Sequence, residues 1–344
     1  MRIFYTLCLV AASAFICTSC TKTPTEGKND KNLKYFEAWA KVNLPDARKT
    51  ALGSYVIEEI DGYGRSIDAM NYLSCNYTVR SLDGTIQSTS YAKMAQQIGT
   101  YSSTSFYGPS YWQQSDNSLH AGIEEILAGK HVGAKVKAAI PGWLQTTNRY
   151  DDAKGYLDNA SGTDYIYELE IVDAFDDLEK YELDSLIRFI GRNFPKIDAS
   201  DTSGHKYNKY GLYYQVVNAS DAPDSTFKSE TKVYLNYVGK LLNGTVFDTN
   251  IERVAKDAGI YKSSSSYKPT YVTWNEEDHT KFTFGSGGSS IIEGFSYAIS
   301  KMKPHEKGTV IFHSKYGYSA SGSGNSIPAY SPLIFEIELV DSEE

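Results

Sequence analysis

NYVGKLLNGTVFDTNIERVAKDAGIYKSSSSYKPTY, residues 236–271, aligns without a gap on NYTVRSLDGTIQSTSYAKMAQQIGTYSSTSFYGPSY, residues 76–111, at a constant offset of 160. Tyr77 falls on Tyr237, Gly84 on Gly244, Thr85 on Thr245, Ala95 on Ala255 and Gly99 on Gly259. Further along, Tyr101 meets Tyr261, Tyr107 meets Tyr267, Pro109 meets Pro269 and Tyr111 meets Tyr271. Agreement of aromatic, glycine and proline positions over this length makes duplication the simplest reading, and the duplication organises the rest of the chain. In each copy an alternating apolar run ends at Asp83-Gly84 or Asn243-Gly244, dipeptides suited to a tight reversal between strands.

The repeat extends outward from this segment. GIEEILAGKHVGAKVKAAIP from Gly122 matches GFSYAISKMKPHEKGTVIFH from Gly294 in apolar spacing, and YIYELEIVD (165–173) matches LIFEIELVD (333–341). Each copy opens with a strand, GSYVIEEI from Gly53 or GLYYQVV from Gly211, and a helix precedes each opening strand. The first helix is LKYFEAWAKV; the second is LEKYELDSLIRFIG, where Leu183, Leu186, Ile187 and Ile190 recur at helical spacing and Gly191 and Pro195 are expected to end the run. Within a copy the expected order is strand, strand, turn, short helix, Ser/Tyr/Pro loop, helix, strand, long loop, strand. The helix FSYAISKM presents Phe295, Ala298, Ile299 and Met302 on one face. Antiparallel strands curved around one such helix give an α+β fold class. The expected boundaries are a leader over 1–19, a tether and short helix over 20–51, a first unit over 52–175, a helix and linker over 176–206, and a second unit over 207–344.

The N-terminus, MRIFYTLCLVAASAFICTSC, combines Arg2, an apolar run and small residues before Cys20, the layout of a cleaved leader. The run is short of the roughly 20 apolar residues that span a bilayer. Lipidation of Cys20 followed by the polar tether TKTPTEGKNDKN is the expectation; ordinary secretion and a buried N-terminal helix are the alternatives. Cys75 is then the only cysteine left in the mature fold, and its strand position reads as a small buried hydrophobe. No Cys/His cluster has metal-ligand spacing, so neither a metal nor another cofactor is expected. The formal charge of −8, one unit more negative once Arg2 leaves, argues against a nucleic-acid partner. Oligomeric state is not legible.

With these features in view, the second unit resembles the FK506-binding type of peptidyl-prolyl cis-trans isomerase, and the whole chain resembles tandem-domain exported lipoproteins of the Bacteroides type. The resemblance is carried by VYLNYVGKLLNGTVFDTN (233–250) and by FTFGSGGSSIIEGFSYAISKMKPHEKGTVIFHSKYGYSASGSGNSIPAYSPLIFEIELV (282–340). It implies a five- to six-stranded antiparallel sheet wrapped on a short helix, with substrate proline in an aromatic cup between them. By motif, Tyr237 matches the tyrosine of the pocket wall, Phe247 and Asp248 the Phe-Asp pair, and Phe282 an aromatic contributed by the sheet. Ile291 and Ile292 match the Val-Ile before the helix, with the Ile292 backbone expected to bond ligand. Phe295 stands at the pocket floor in place of tryptophan, Tyr318 matches the tyrosine that meets a substrate carbonyl, Ile327 and Pro328 match a late-loop Ile-Pro, and Phe335 faces the cup. Tyr237, Asp248 and Tyr318 are thus the expected catalytic group, with Phe247, Phe282, Ile291, Ile292, Phe295, Ile327 and Phe335 as substrate contacts.

Departures from the pattern include Ser319 where glycine is usual, Ala329 where proline is usual, and 33 residues between Asp248 and Phe282 that extend the rim or cover the pocket. Serine enters the left-handed region less readily than glycine, so a changed loop backbone is expected at Ser319. Asp248 also reads as a helix N-cap for a helix beginning near Ile251. His205, His279 and His313 form no recognisable nucleophilic triad.

The first unit aligns Gln87-Ser88 with Phe247-Asp248 and Ile123 with Phe295, so it is expected to keep the framework without the cup. Trp143 packs a loop or serves as a replacement contact. The resemblance implies an isomerase or folding helper for proline-containing exported polypeptides, held by an N-terminal lipid in the cell envelope, on the outer membrane facing either the periplasm or the outside. The alternative is a non-catalytic binding module for peptide, protein or glycan.

Overall fold

The computed structural model describes residues 27–193, 213–222 and 225–342. The leader, Cys20, the first part of the tether, the 194–206 linker with Pro195 and His205, and the beginning of the strand from Gly211 lie outside the described residues.

Two antiparallel sheets carry the chain, which is α+β as its patterning predicts. In the first sheet the order is Arg48–Lys49, Tyr55–Ile60, Lys135–Ile140, Tyr165–Phe175, Tyr72–Arg80 and Ile86–Thr89, with Ser110–Gln113 also paired to Tyr72–Arg80. In the second the order is Ser289–Ser290, Thr283–Phe284, Thr270–Thr273, Lys232–Leu241, Leu333–Val340, Lys307–Phe312 and Tyr213–Asn218, with Val246–Thr249 paired to Lys232–Leu241. The offset of 160 reappears as structure. Strand Ile86–Thr89 corresponds to Val246–Thr249, helix Ala92–Gln97 to Glu252–Asp257, and strand Ser110–Gln113 to Thr270–Thr273. The reversals match as well: Gly84 and Gly244 have φ of 88° and 87°, and each donates its N–H to the carbonyl of Ser81 or Leu241 at 2.9 Å.

The short strands after the turn and within the Ser/Tyr/Pro loop were absent from the sequence order. They lack a visible alternation, and SYWQ at 110–113 is half-buried throughout. Pairing with Tyr72–Cys75 makes that segment a strand.

Each core lies between the curved sheet and one short helix. Helix Glu293–Ser300 buries Phe295, Ala298 and Ile299, and helix Ala121–Leu127 buries Ile123, Ile126 and Leu127. Both carry a glycine at their second position for steric reasons. A Cβ on Gly122 would fall 2.3 Å from Ile140 Cγ2, and one on Gly294 would fall 2.5 Å from Phe312 Cδ2. The N-terminal helix Asp30–Asn43 sets Phe36 edge-on against Trp143, with ring centroids 5.8 Å apart. Trp143 is therefore a buried packing residue, the plainer of its two readings. Helix Leu178–Asn193 runs through Gly191, which does not end it. Its buried Leu186 and Ile190 pack with Tyr213, Ile311 and Ile334 of the second sheet.

Candidate functional site

Strand Lys232–Leu241 turns Val233, Leu235, Tyr237 and Gly239 toward the helix, because side chains two apart share a face. Its neighbour Val246–Thr249 breaks that rule. Val246 pairs with Lys240 but Asp248 pairs with Gly239, so Phe247 is the extra residue of a β-bulge. On a regular strand Phe247 and Asp248 would point to opposite sides; the bulge lets both line one cavity.

That cavity has a volume of about 350 Å³. Tyr237, Phe247, Asp248, Phe295, Tyr318 and Phe335 line it, with Ile291 and Ile292 at the start of the helix. The rings form a nest around Phe335: Phe295 lies 4.7 Å away, Phe247 5.6 Å away and nearly perpendicular, and Phe312 stacks behind at 5.9 Å. Tyr237 closes the wall against Phe295 at 5.9 Å. Offset and edge contacts of this kind hold aromatic rings in fixed orientation. Ile292 is extended, with φ −61° and ψ 139°, where the chain enters the helix.

The Tyr237 hydroxyl donates to Asp248 Oδ2 at 2.8 Å. Asp248 is thus engaged with the cup wall. The helix that follows has Ile251 at its N-cap position with no side-chain cap, and Thr249 Oγ1 accepts the Ile251 N–H at 3.1 Å. The N-cap reading of Asp248 is corrected by this geometry. Burial, followed by the Asp248 charge and hydrogen bond, pushes the Tyr237 phenol above its usual range. Burial and the same carboxylate raise Tyr318. Both hydroxyls consequently keep their protons at neutral pH and remain donors.

Two sequence assignments need correction. Phe282 is buried in the core, its ring 4.6 Å from Trp274, and it does not line the cavity. Phe284 takes that place, 6.1 Å from Tyr237. Residues two apart face the same side, so alternation cannot separate them; pairing of Phe284 with Val272 decides which ring reaches the open end. Ile327 is also buried beneath the site, held by a two-way bridge with Ser323. Ser289 and Ser290, missed in the sequence, join the lining through a two-residue strand without apolar signal. At Ser319 the backbone is left-handed, with φ of 48°, a conformation that glycine takes more readily and that serine adopts at a conformational cost.

The first unit repeats the bulge: Arg80 pairs with Ile86 and Val79 with Ser88, leaving Gln87 as the extra residue. Gln87 bonds back to Ser81 Oγ at 2.7 Å. Val79 occupies the position of Gly239, and Tyr167, in the place of Phe335, donates to Gln145 Oε1 at 2.9 Å. Cys75 is fully buried, and burial raises its thiol far above the reactive range.

Residues 224–340 match the family of FKBP-type peptidyl-prolyl cis-trans isomerases, so the chain contains an FKBP-type domain. The chain is 24% identical over 239 residues to the "Probable FKBP-type peptidyl-prolyl cis-trans isomerase" of Haemophilus influenzae, covering 66% of this chain and 87% of that protein. It is 30% identical over 113 residues to FK506-binding protein 2 of Dictyostelium discoideum, covering 33% of this chain and 66% of that protein. Among solved structures, the three FKBP domains of wheat FKBP73 align with 84% of this chain and 94% of that chain, at 18% identity and a TM-score of 0.28.

Proposed function

We propose that the FKBP-type domain is a working peptidyl-prolyl cis-trans isomerase for proline-containing exported polypeptides, acting through the cup between Tyr237 and Phe335. The observation that carries this reading is the convergence of fixed aromatic rings with one protonated hydroxyl, Tyr318, on one open cavity.

The reaction makes and breaks no covalent bond. Its barrier of about 18–20 kcal/mol is the loss of conjugation between the prolyl nitrogen and the preceding carbonyl. The planar amide is the more polar state, so an aromatic cup that takes the proline ring out of water disfavours it relative to the twisted form. Tyr318 and the Ile292 N–H hold neighbouring carbonyls, so rotation is confined to one bond. Asp248 is a positioning residue: it fixes the Tyr237 ring through the hydroxyl and takes no proton from substrate. The same reading makes the first unit a cup-less FKBP-like domain, places the chain in the cell envelope, and anchors it through lipid on Cys20.

Exchange NMR on a short Xaa-Pro peptide tests the activity with the wild-type protein, Tyr318→Phe and Asp248→Ala. Acceleration by wild type that falls about 2- to 13-fold in Tyr318→Phe fits the loss of one neutral hydrogen bond of about 0.5–1.5 kcal/mol. No acceleration by a folded wild type overturns the isomerase reading; peptide shifts retained in that case identify a binding module.

A further inference from the structure

We infer that the cup continues into a groove for an extended, acidic polypeptide segment, and that the first unit supplies part of its wall. The inference rests on the cup being where proline sits, and it adds what holds the flanking chain.

A second cavity, of about 790 Å³, shares Tyr237, Phe247, Asp248 and Phe284 with the cup. The two therefore adjoin at these side chains, and the larger lies along the 33-residue segment between Asp248 and Phe282. That segment is pre-shaped. Tyr261 and Tyr267 stack with centroids 5.1 Å apart, and the Tyr267 hydroxyl accepts the Lys262 N–H at 2.8 Å.

The first unit carries the same device. Tyr101 stacks on Tyr107 at 5.2 Å, and the Tyr107 hydroxyl accepts the Ser102 N–H at 3.1 Å. Between those tyrosines the loop reaches the second unit. The Phe106 N–H donates to the Asn325 carbonyl at 2.7 Å, the Ser103 hydroxyl donates to the Gly259 carbonyl, and Thr104 lines the groove itself. Duplication has thus given two copies of one loop: one forms the groove, and the other docks beside it.

The lining indicates the occupant. Lys232 and Lys262 contribute their ammonium groups to it, and Asp248, whose Oδ2 is engaged by Tyr237, is its one carboxylate. Lys232 Nζ lies 4.6 Å from the centre of the Tyr271 ring. The lining is locally cationic although the chain as a whole carries a formal charge of −8, and that local balance favours an anionic ligand at this place. Hydroxyl-bearing residues such as Ser265, Ser266 and Thr270 complete a polar lining suited to an extended backbone. Adjacency to a proline cup makes that ligand the chain on one side of the proline.

The test uses the whole two-unit protein and peptides of about twelve residues, an extended reach of about 40 Å. One Xaa-Pro core is flanked by Asp/Glu, Ser/Gly or Lys, beside a short core peptide. NMR titration gives Kd and exchange gives kcat/KM. The acidic peptide is expected to bind about tenfold tighter than the basic one at low salt, with the gap shrinking as salt rises. Lys232→Glu combined with Lys262→Glu should erase that gap, and Thr104→Trp should lower the ratio of extended- to short-peptide kcat/KM. Equal Kd values for the three flanks, or a gap unchanged by the lysine variants, would overturn the groove. Loss of exchange activity with the acidic preference intact would overturn only the isomerase reading.

Discussion

Gly239→Ala probes the cup at the point where its construction is tightest. Gly239 is paired with Phe335 on one side and with Asp248 of the bulge on the other, and the Phe247 and Phe335 rings lean over it. An alanine Cβ there would lie 2.6 and 2.7 Å from Phe247 Cε2 and Cζ, and 3.0 Å from Phe335 Cε1. Carbon contacts are comfortable at about 3.5–4.0 Å, so Phe247 must move by about 1 Å. Phe335 is buried among Phe295 and Phe312 and cannot yield, whereas Phe247 is only half-buried and can swing into the cavity. Overpacking costs about 1–3 kcal/mol. The lower chain entropy of unfolded alanine returns about 0.4–1 kcal/mol. The net loss, at most about 2.6 kcal/mol, is modest, and the larger effect is on the cup. A catalytic surface misplaced by about 1 Å can lose up to about a hundredfold in rate. Exchange NMR should therefore show kcat/KM falling about ten- to a hundredfold, while urea unfolding shifts only by the net loss. Adding Phe247→Ala should recover the stability without the activity. Gly239→Ala with wild-type activity would refute the packing argument.

Ser319→Gly should stabilise the protein by up to about 1 kcal/mol in urea unfolding, because relief of a left-handed strain of about 1–2 kcal/mol exceeds the glycine entropy cost of about 0.5–1 kcal/mol; a loss of stability would count against strain there. Buried Glu182 accepts the Ser314 N–H at 2.9 Å and its hydroxyl at 2.6 Å, tying helix Leu178–Asn193 to the loop that leads to Tyr318. Glu182→Ala should cost about 1–3 kcal/mol by leaving these donors unpaired, and Glu182→Gln should cost less, with equal midpoints arguing against the clamp. Burial raises Tyr167 and Tyr213 to about 12, and Tyr237 is raised as well. Below about pH 10 both folded and unfolded chains hold these protons; above it the unfolded chain releases them first, so stability should fall by about 1.4 kcal/mol per pH unit per tyrosine. A urea midpoint that stays level through pH 11 would contradict the raised phenols.

The sequence by itself determined the α+β class and the repeat at a constant offset of 160, and the resemblance pointed to most of the residues that line the cup. These features are local or periodic: a constant offset, alternation by two, an Asn-Gly reversal, a helix with one apolar face. Tyr237, Phe247, Asp248, Phe295, Tyr318 and Phe335 were legible through the family resemblance, whose motifs lie in two stretches, 233–250 and 282–340, on either side of the 33-residue segment. The first unit's departures at Gln87, Ser88 and Ile123 were equally legible, and Val79 at the position of Gly239 was a further available signal. Tertiary structure decided what depends on register and distance. Phe282 and Phe284 present the same alternation, and only pairing across to Val272 puts Phe284 in the cavity and Phe282 against Trp274. The bulge at Phe247, the left-handed Ser319 and the reach of Glu182 to Ser314 likewise depend on partners far away in sequence. So does the docking of the Ser102–Gly108 loop beside the groove: the repeat shows that this loop has a twin, but its hydrogen bonds to Gly259 and Asn325 exist only once both sheets have folded and come together.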